Sequence, residues 1–216
     1  MSRVDTNTIP YLTMAVNITD PEGKQINSCL PDAPLIPASL SKLFTLVCSF
    51  EKLGNDPKIH AIRKYVGTYS NLLAANILVK LCGGNAAIRS FSLQFDPKRV
   101  QIADGTGMSR TNRATPRSVT NLLTYALERP YAKYFLDCLP VSGIRGTLKE
   151  RFQQRPGKLL AKTGTLPGVA CLAGYSMAEN GKLRVFAVMS NCPTHDANMA
   201  VYMKASIDKL VEKAVL

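Results

Sequence analysis

The chain has 216 residues, with 27 Lys and Arg against 15 Asp and Glu for a net charge of +12, 46% hydrophobic residues, two His and no Trp. This globular composition excludes disordered, fibrous and low-complexity classes, and the length fits one domain over 1–216 that needs no disulfide or metal staple. No stretch approaches the roughly 20 apolar residues of a membrane span; the longest candidate, Leu72–Leu81, carries Lys80.

The first twenty residues lack a basic start, an apolar block and a small-residue cleavage site, so no secretory signal is read in them. Cysteines stand at 29, 48, 82, 138, 171 and 192 with gaps of 19 or more. That spacing contains no CxxC pair, disfavours zinc, and fits small core residues better than a disulfide framework. Residues 57–117 hold ten Lys or Arg against two Asp or Glu, an electropositive stretch suited to an anionic wall polymer or membrane surface. Nucleic acid is disfavoured, because the stretch lacks the interleaved aromatics of single-strand binders.

In chain order, Tyr11–Ile18 and Lys24–Cys29 read as a β-hairpin turned by Asp20-Pro21-Glu22-Gly23. After a Pro-rich loop, Ser39–Leu53 has helical spacing, and Gly54-Asn55-Asp56-Pro57 reads as its stop. Helices are expected at Asn71–Leu81, Pro116–Leu127, Pro130–Leu139 and Thr147–Phe152. Leu159–Thr165, Val169–Met177 and Leu183–Ser190 read as strands joined at Pro167-Gly168 and Asn180-Gly181, and His195–Val215 as a closing amphipathic helix. The sum is an α+β fold: a five-stranded antiparallel sheet from about 11–29 and 158–216, flanked by a helical part at about 39–152.

Two histidines, His60 and His195, give a Ser-His-Asp triad or a histidine metal site little to draw on. A serine nucleophile with a lysine base needs neither. SxxK puts both side chains on one helical face, and it occurs at Ser39/Lys42, Ser49/Lys52 and Ser206/Lys209. Only Ser39 stands at a helix N-terminus, where backbone N–H groups can stabilise an oxyanion. On the strand at 162–165, alternation puts Lys162 and Gly164 on one face and Thr163 and Thr165 on the other. A glycine there lets a substrate backbone approach, and an edge strand could take a peptide by β-augmentation.

The motifs PASLSK, YSN, DGTGMSRTN, LPVSGIRGTL and AKTGTLPGVACLAGY follow in the order found in the D-alanyl-D-alanine carboxypeptidase/endopeptidase family of low-molecular-mass penicillin-binding proteins, which the chain resembles from about residue 11 to its end. The resemblance implies the penicillin-recognising serine hydrolase fold, no cofactor, peptidoglycan D-Ala-D-Ala peptides as substrate, and β-lactam antibiotics as acylating ligands. It implies Ser39 as nucleophile, Lys42 as general base, Lys162 as source of positive field, and the Ser39 and Thr165 N–H groups as oxyanion hole. Thr163 and Thr165 would meet the substrate carboxylate, beside Gly164, and Asn71 the substrate amide. Asp104-Gly-Thr-Gly reads as a turn that shapes the cleft.

Two features depart from the family pattern. Tyr69 stands where the second motif usually has serine, which makes it the proton carrier to the leaving amine unless Ser70 shifts into that place. Only 26 residues separate Lys42 from Tyr69, so the long insertion usual there is absent. The expected location is periplasmic or extracellular, with a signal segment missing from the chain. A β-lactamase or esterase on the same fold and a non-catalytic wall-binding domain are the competing readings.

Overall fold

The computed structural model describes residues 12–193 and 197–216. Tyr11 and His195, the expected first residues of the opening strand and closing helix, lie outside them.

Strands β1 (Thr13–Thr19) and β2 (Gln25–Cys29) form the opening hairpin. A single 3-10 turn at Ala38–Leu40 runs into α1 (Ser41–Leu53). Helices α2 (Pro57–Thr68), α3 (Leu72–Leu81), α4 (Gly84–Ser92), α5 (Pro116–Leu127) and α6 (Ala132–Asp137) follow. Strands β3 (Leu159–Leu166), β4 (Val169–Met177) and β5 (Leu183–Asn191) and helix α7 (Ala197–Ala214) complete the chain. The sheet order is β2-β1-β5-β4-β3, antiparallel throughout, so the expected five-stranded sheet flanked by helices is present, closed by pairing of the first and last strands.

Alternation along β4 divides the core. Val169, Cys171, Ala173 and Tyr175 face a cluster shared with α1 to α6, while Ala170 and Leu172 face one shared with Ile207 and Val211 of α7. The sheet is thus buried on both sides, and its free edge on the β3 side is one place where backbone groups stay available.

The helical part departs from expectation at four places. Asp56-Pro57, read as a stop, also starts α2: the Asp56 carboxylate accepts from the Lys58 and Ile59 N–H groups, and Pro57 takes the first turn. α4 was not expected because Gly83 and Gly84 open it, both at positive φ. Pro130–Leu139 contracts to Ala132–Asp137. Thr147–Phe152 is no α-helix; Gly146–Leu148 makes one 3-10 turn, and Phe152 adopts a left-handed φ of 54° with its ring buried against the α7 side. Burying that ring breaks the run that the apolar spacing suggested.

Candidate active site

Ser39 is half-buried in the 3-10 turn before α1, and the segment leading to it is fixed at several points. Leu35 exchanges both backbone hydrogen bonds with Ala114, at 2.9 and 3.0 Å. The Asn191 amide, at the end of β5, accepts from the Ile36 N–H at 2.7 Å and donates to its carbonyl at 3.1 Å. Ala38, immediately before the serine, has a left-handed φ of 48°, a strained setting for a residue with a β-carbon.

One helical turn on, Lys42 is 1% exposed, and its Nζ donates to Ser39 Oγ at 3.0 Å and to the Thr106 carbonyl at 2.5 Å. Burial lowers the Lys42 pKa to about 8, against the opposing pull of the Asp104 carboxylate. The other two SxxK pairs are structural. Ser49 is buried, donates to the Leu46 carbonyl at 2.6 Å and accepts from Arg63, while Lys52 donates to the Cys82 carbonyl. Ser206 donates back to the Tyr202 carbonyl at 3.0 Å within α7. His60 pairs with Asp137 at 3.2 Å and ties α2 to α6.

The Asp104–Asn112 loop holds the lysine. The Asp104 carboxylate accepts from the N–H groups of Thr106, Met108 and Ser109 and from the Thr106 hydroxyl. Burial alone would raise its pKa, but these donors outweigh burial and keep it below the usual carboxylate range. A carboxylate so saturated shapes a turn, as the Asp-Gly sequence suggests. Asn112, fully buried, donates to Ser41 Oγ at 2.9 Å and to the Asp104 carbonyl at 2.7 Å, joining the loop to α1. Gly107, at φ 79°, leaves room for the serine turn: a β-carbon there would lie 2.4 Å from the Ala38 carbonyl oxygen and 2.9 Å from the Ser39 Cα. Thr106, which positions the lysine through its carbonyl, and Asn112 were given no role from the sequence. The string DGTGMSRTN was the available signal, but a backbone acceptor leaves no mark on side-chain chemistry.

β3 is an edge strand. Ala161 donates its N–H outward to the Pro140 carbonyl at 3.1 Å, and alternation turns the Thr163 and Thr165 backbone groups the same way, toward the open edge. Lys162 is fully buried and donates to the Thr163 carbonyl at 3.1 Å. Burial, then the nearby Lys42 charge, hold its pKa well below the ordinary lysine range. Burial and the neighbouring amine thus both work against a positive charge on Lys162, the residue expected to supply the positive field. Thr163 shares a 2.8 Å hydrogen bond with the Thr147 hydroxyl, and Thr165 is exposed. Gly164 is needed for a reason other than substrate approach: a β-carbon there would meet the Pro37 carbonyl oxygen at 2.7 Å, so the protein's own turn before Ser39 takes that space.

The second motif joins α2 to α3. Asn71 caps α3, its side-chain oxygen accepting from the Ala74 N–H at 2.8 Å. Ser70 holds a left-handed φ of 55°. Tyr69 is 60% exposed with its ring 5.9 Å from that of Tyr65, and neither Tyr69 nor Ser70 forms a side-chain hydrogen bond to Ser39, Lys42 or Lys162. The structure thus brings Ser39, Lys42 and the β3 edge together, whereas the second-motif hydroxyls make no hydrogen bond to these groups.

A family model described as the D-Ala-D-Ala carboxypeptidase 3 (S13) family matches residues 83–214. The chain is 30% identical over 168 residues to a D-alanyl-D-alanine carboxypeptidase of Actinomadura sp., covering 74% of this chain and 30% of that one. It is 27% identical over 155 residues to carboxypeptidase DacB of Mycolicibacterium smegmatis, covering 62% and 34%. The chain therefore spans about a third of the length of these curated relatives. Among solved structures it resembles penicillin binding protein 4 of Haemophilus influenzae, with TM-score 0.57, 22% identity, and 69% and 39% of the two chains covered. It also resembles PBP-A, with TM-score 0.72, 19% identity, and 96% and 92% covered. At these identities the structural likenesses establish the fold.

Proposed function

The chain belongs to the D-Ala-D-Ala carboxypeptidase 3 (S13) family, and from that membership we propose a serine-type carboxypeptidase or endopeptidase that cleaves peptidoglycan D-Ala-D-Ala peptides and is acylated by β-lactams. The observation that carries the reading is the buried Lys42 amine, 3.0 Å from Ser39 Oγ and with a pKa lowered to about 8.

Ser39 Oγ attacks the penultimate D-Ala carbonyl while Lys42, in its neutral form, takes the hydroxyl proton. The oxyanion faces the Ser39 N–H and the outward Thr165 N–H of the β3 edge. The C–N bond to the terminal D-Ala then breaks, and the proton passes to the departing amine through the Tyr69 hydroxyl, which makes no hydrogen bond to another described residue. Asn71 holds the substrate amide at the head of α3. Water attacks the acyl-Ser39 ester, with Lys42 again the base, and releases the shortened peptide.

Lys162 gives the substrate carboxylate a further effect. A carboxylate held by Thr163 and Thr165 opposes the effect of burial on Lys162 and favours its charged form. Two neighbouring ammonium groups repel, so a proton on Lys162 favours its loss from Lys42, and the correct substrate prepares the base. The helical part and the sheet act together as one catalytic domain, because each supplies part of this set. The reading places the protein in the periplasm or outside the cell, where its substrate lies, and the net charge of +12 suits an anionic wall or membrane environment.

Intact-mass analysis after incubation with penicillin tests the proposal. One acyl adduct is expected on the wild type and none on Ser39→Ala. A wild type that stays unmodified and leaves a D-Ala-D-Ala peptide uncut refutes the enzyme reading, and rapid cephalosporin turnover without peptide cleavage makes the protein a β-lactamase instead.

A further inference from the structure

α3 is apolar on nearly every side. Ala74, Ala75, Leu78 and Val79 are buried in the helical cluster, yet Leu72, Leu73, Ile77 and Leu81 on the outer side are 43%, 71%, 41% and 46% exposed. Asn76 and Lys80 are the polar residues on that outer side; a helix at a protein–water boundary normally turns mostly polar residues outward, and four exposed aliphatic side chains against two polar ones is the reverse. On α2, which packs against α3, Tyr65 is 58% exposed. The surrounding sequence is one-signed: residues 57–95 contain Lys58, Arg63, Lys64, Lys80 and Arg89 and no Asp or Glu. Of these, Lys58, Lys80 and Arg89 are exposed, whereas Arg63 is buried and half-exposed Lys64 pairs with the Asp137 carboxylate at 3.0 Å.

We propose that the outer face of α3, with Tyr65, docks on the surface of an anionic lipid bilayer. Exposed leucine and isoleucine beside a tyrosine, with exposed Lys58, Lys80 and Arg89 on the same stretch of chain, is the make-up of a segment lying in the headgroup region. With 10 residues α3 reaches only about half of a bilayer's hydrocarbon thickness, and the chain turns by 83° into the next helix, so α3 is placed along the surface. A second copy of this chain would bury the same apolar stripe only by bringing two cationic zones together, whereas anionic headgroups neutralise them. Because Asn71 caps α3, docking sets the second motif at the lipid–water boundary. The proposal stands independently of the catalytic reading.

The test is flotation with vesicles of phosphatidylglycerol and phosphatidylcholine, and with phosphatidylcholine alone, at low and physiological salt. The wild type is expected to float with the anionic vesicles, less so as salt rises. Replacing Leu73 and Ile77 together by Gln should reduce that binding by about tenfold or more, while the variant keeps its helical circular dichroism and its penicillin acylation. Ser39→Ala should bind vesicles like the wild type, which separates this result from any failure of the catalytic reading. The proposal is overturned if the wild type ignores anionic vesicles, if it floats equally with phosphatidylcholine alone, or if the double variant binds as the wild type does. Self-association by sedimentation velocity, lost in the double variant and without vesicle binding, also overturns it and assigns the face to a second copy.

Discussion

The Lys42 amine donates to the Thr106 carbonyl at 2.5 Å, across 64 residues of chain. The base of the SxxK pair is therefore aimed by a backbone oxygen, and that oxygen is set by the Asp104 carboxylate.

The first prediction concerns pH. Lys42 must be neutral to take the Ser39 proton, and its pKa is lowered to about 8. Second-order acylation by penicillin should rise as pH climbs through about 8 and level off above it. A rate that is flat across that range removes Lys42 as the base.

Asp104→Asn keeps the shape but replaces one acceptor oxygen by a donor, facing N–H groups that already point inward. A loss of about 1–3 kcal/mol is expected from unpaired donors, with slower acylation as the Thr106 carbonyl shifts. The sign with pH follows from the lowered native pKa: this stability is present above the ordinary carboxylate range and is lost as pH falls through the native pKa. The melting-temperature gap between wild type and variant should accordingly narrow in acid.

Glycines 107 and 54 both have positive φ, but only a β-carbon at 107 meets anything within 4 Å. Gly107→Ala should cost about 1–3 kcal/mol or more through overpacking and slow acylation by displacing the serine turn. Gly54→Ala should carry the backbone strain alone and leave acylation unchanged. Thermal unfolding and penicillin trapping on both variants decide it.

A substrate whose terminal carboxylate is capped as an amide cannot favour the charge on Lys162. Its acylation should be slower, and its pH profile should lie at higher pH than that of the free acid. Coincident profiles mean that the carboxylate does not prepare Lys42.

Tyr69→Phe should lower acylation by about 100-fold or more if the phenol carries the proton to the leaving group, while Ser70→Ala should change it little. The reverse pattern moves the role to Ser70.

Much of the architecture was legible where local chemistry and long-range packing agree. The strands announced themselves by alternation between turn residues, and α1 by its apolar spacing. α2 was hidden because Asp56-Pro57 ends one helix and caps the next, and α4 because two glycines open it. Ser39, Lys42 and Lys162 could be picked out because their side chains carry the chemistry and their motifs have fixed spacing. The Thr106 carbonyl could not, since every residue has one and only the fold selects which is used. Gly164 carries a packing role that the sequence could not show: its neighbour is the Pro37 carbonyl, far earlier in the chain, and only the tertiary fold reveals it.

The sheet order has a consequence for when the protein becomes competent. β1 pairs along its length with β5, Thr13 opposite Asn191, so the opening hairpin finds its partner only after nearly the whole chain has been made. Asn191 is also the residue that grips Ile36 ahead of the nucleophile. Pairings of such long sequence separation form slowly. A nascent or truncated chain ending before β5 carries Ser39 and Lys42 but lacks the Asn191 grip on the turn that presents them, so full reactivity emerges late, with the last strand of the sheet.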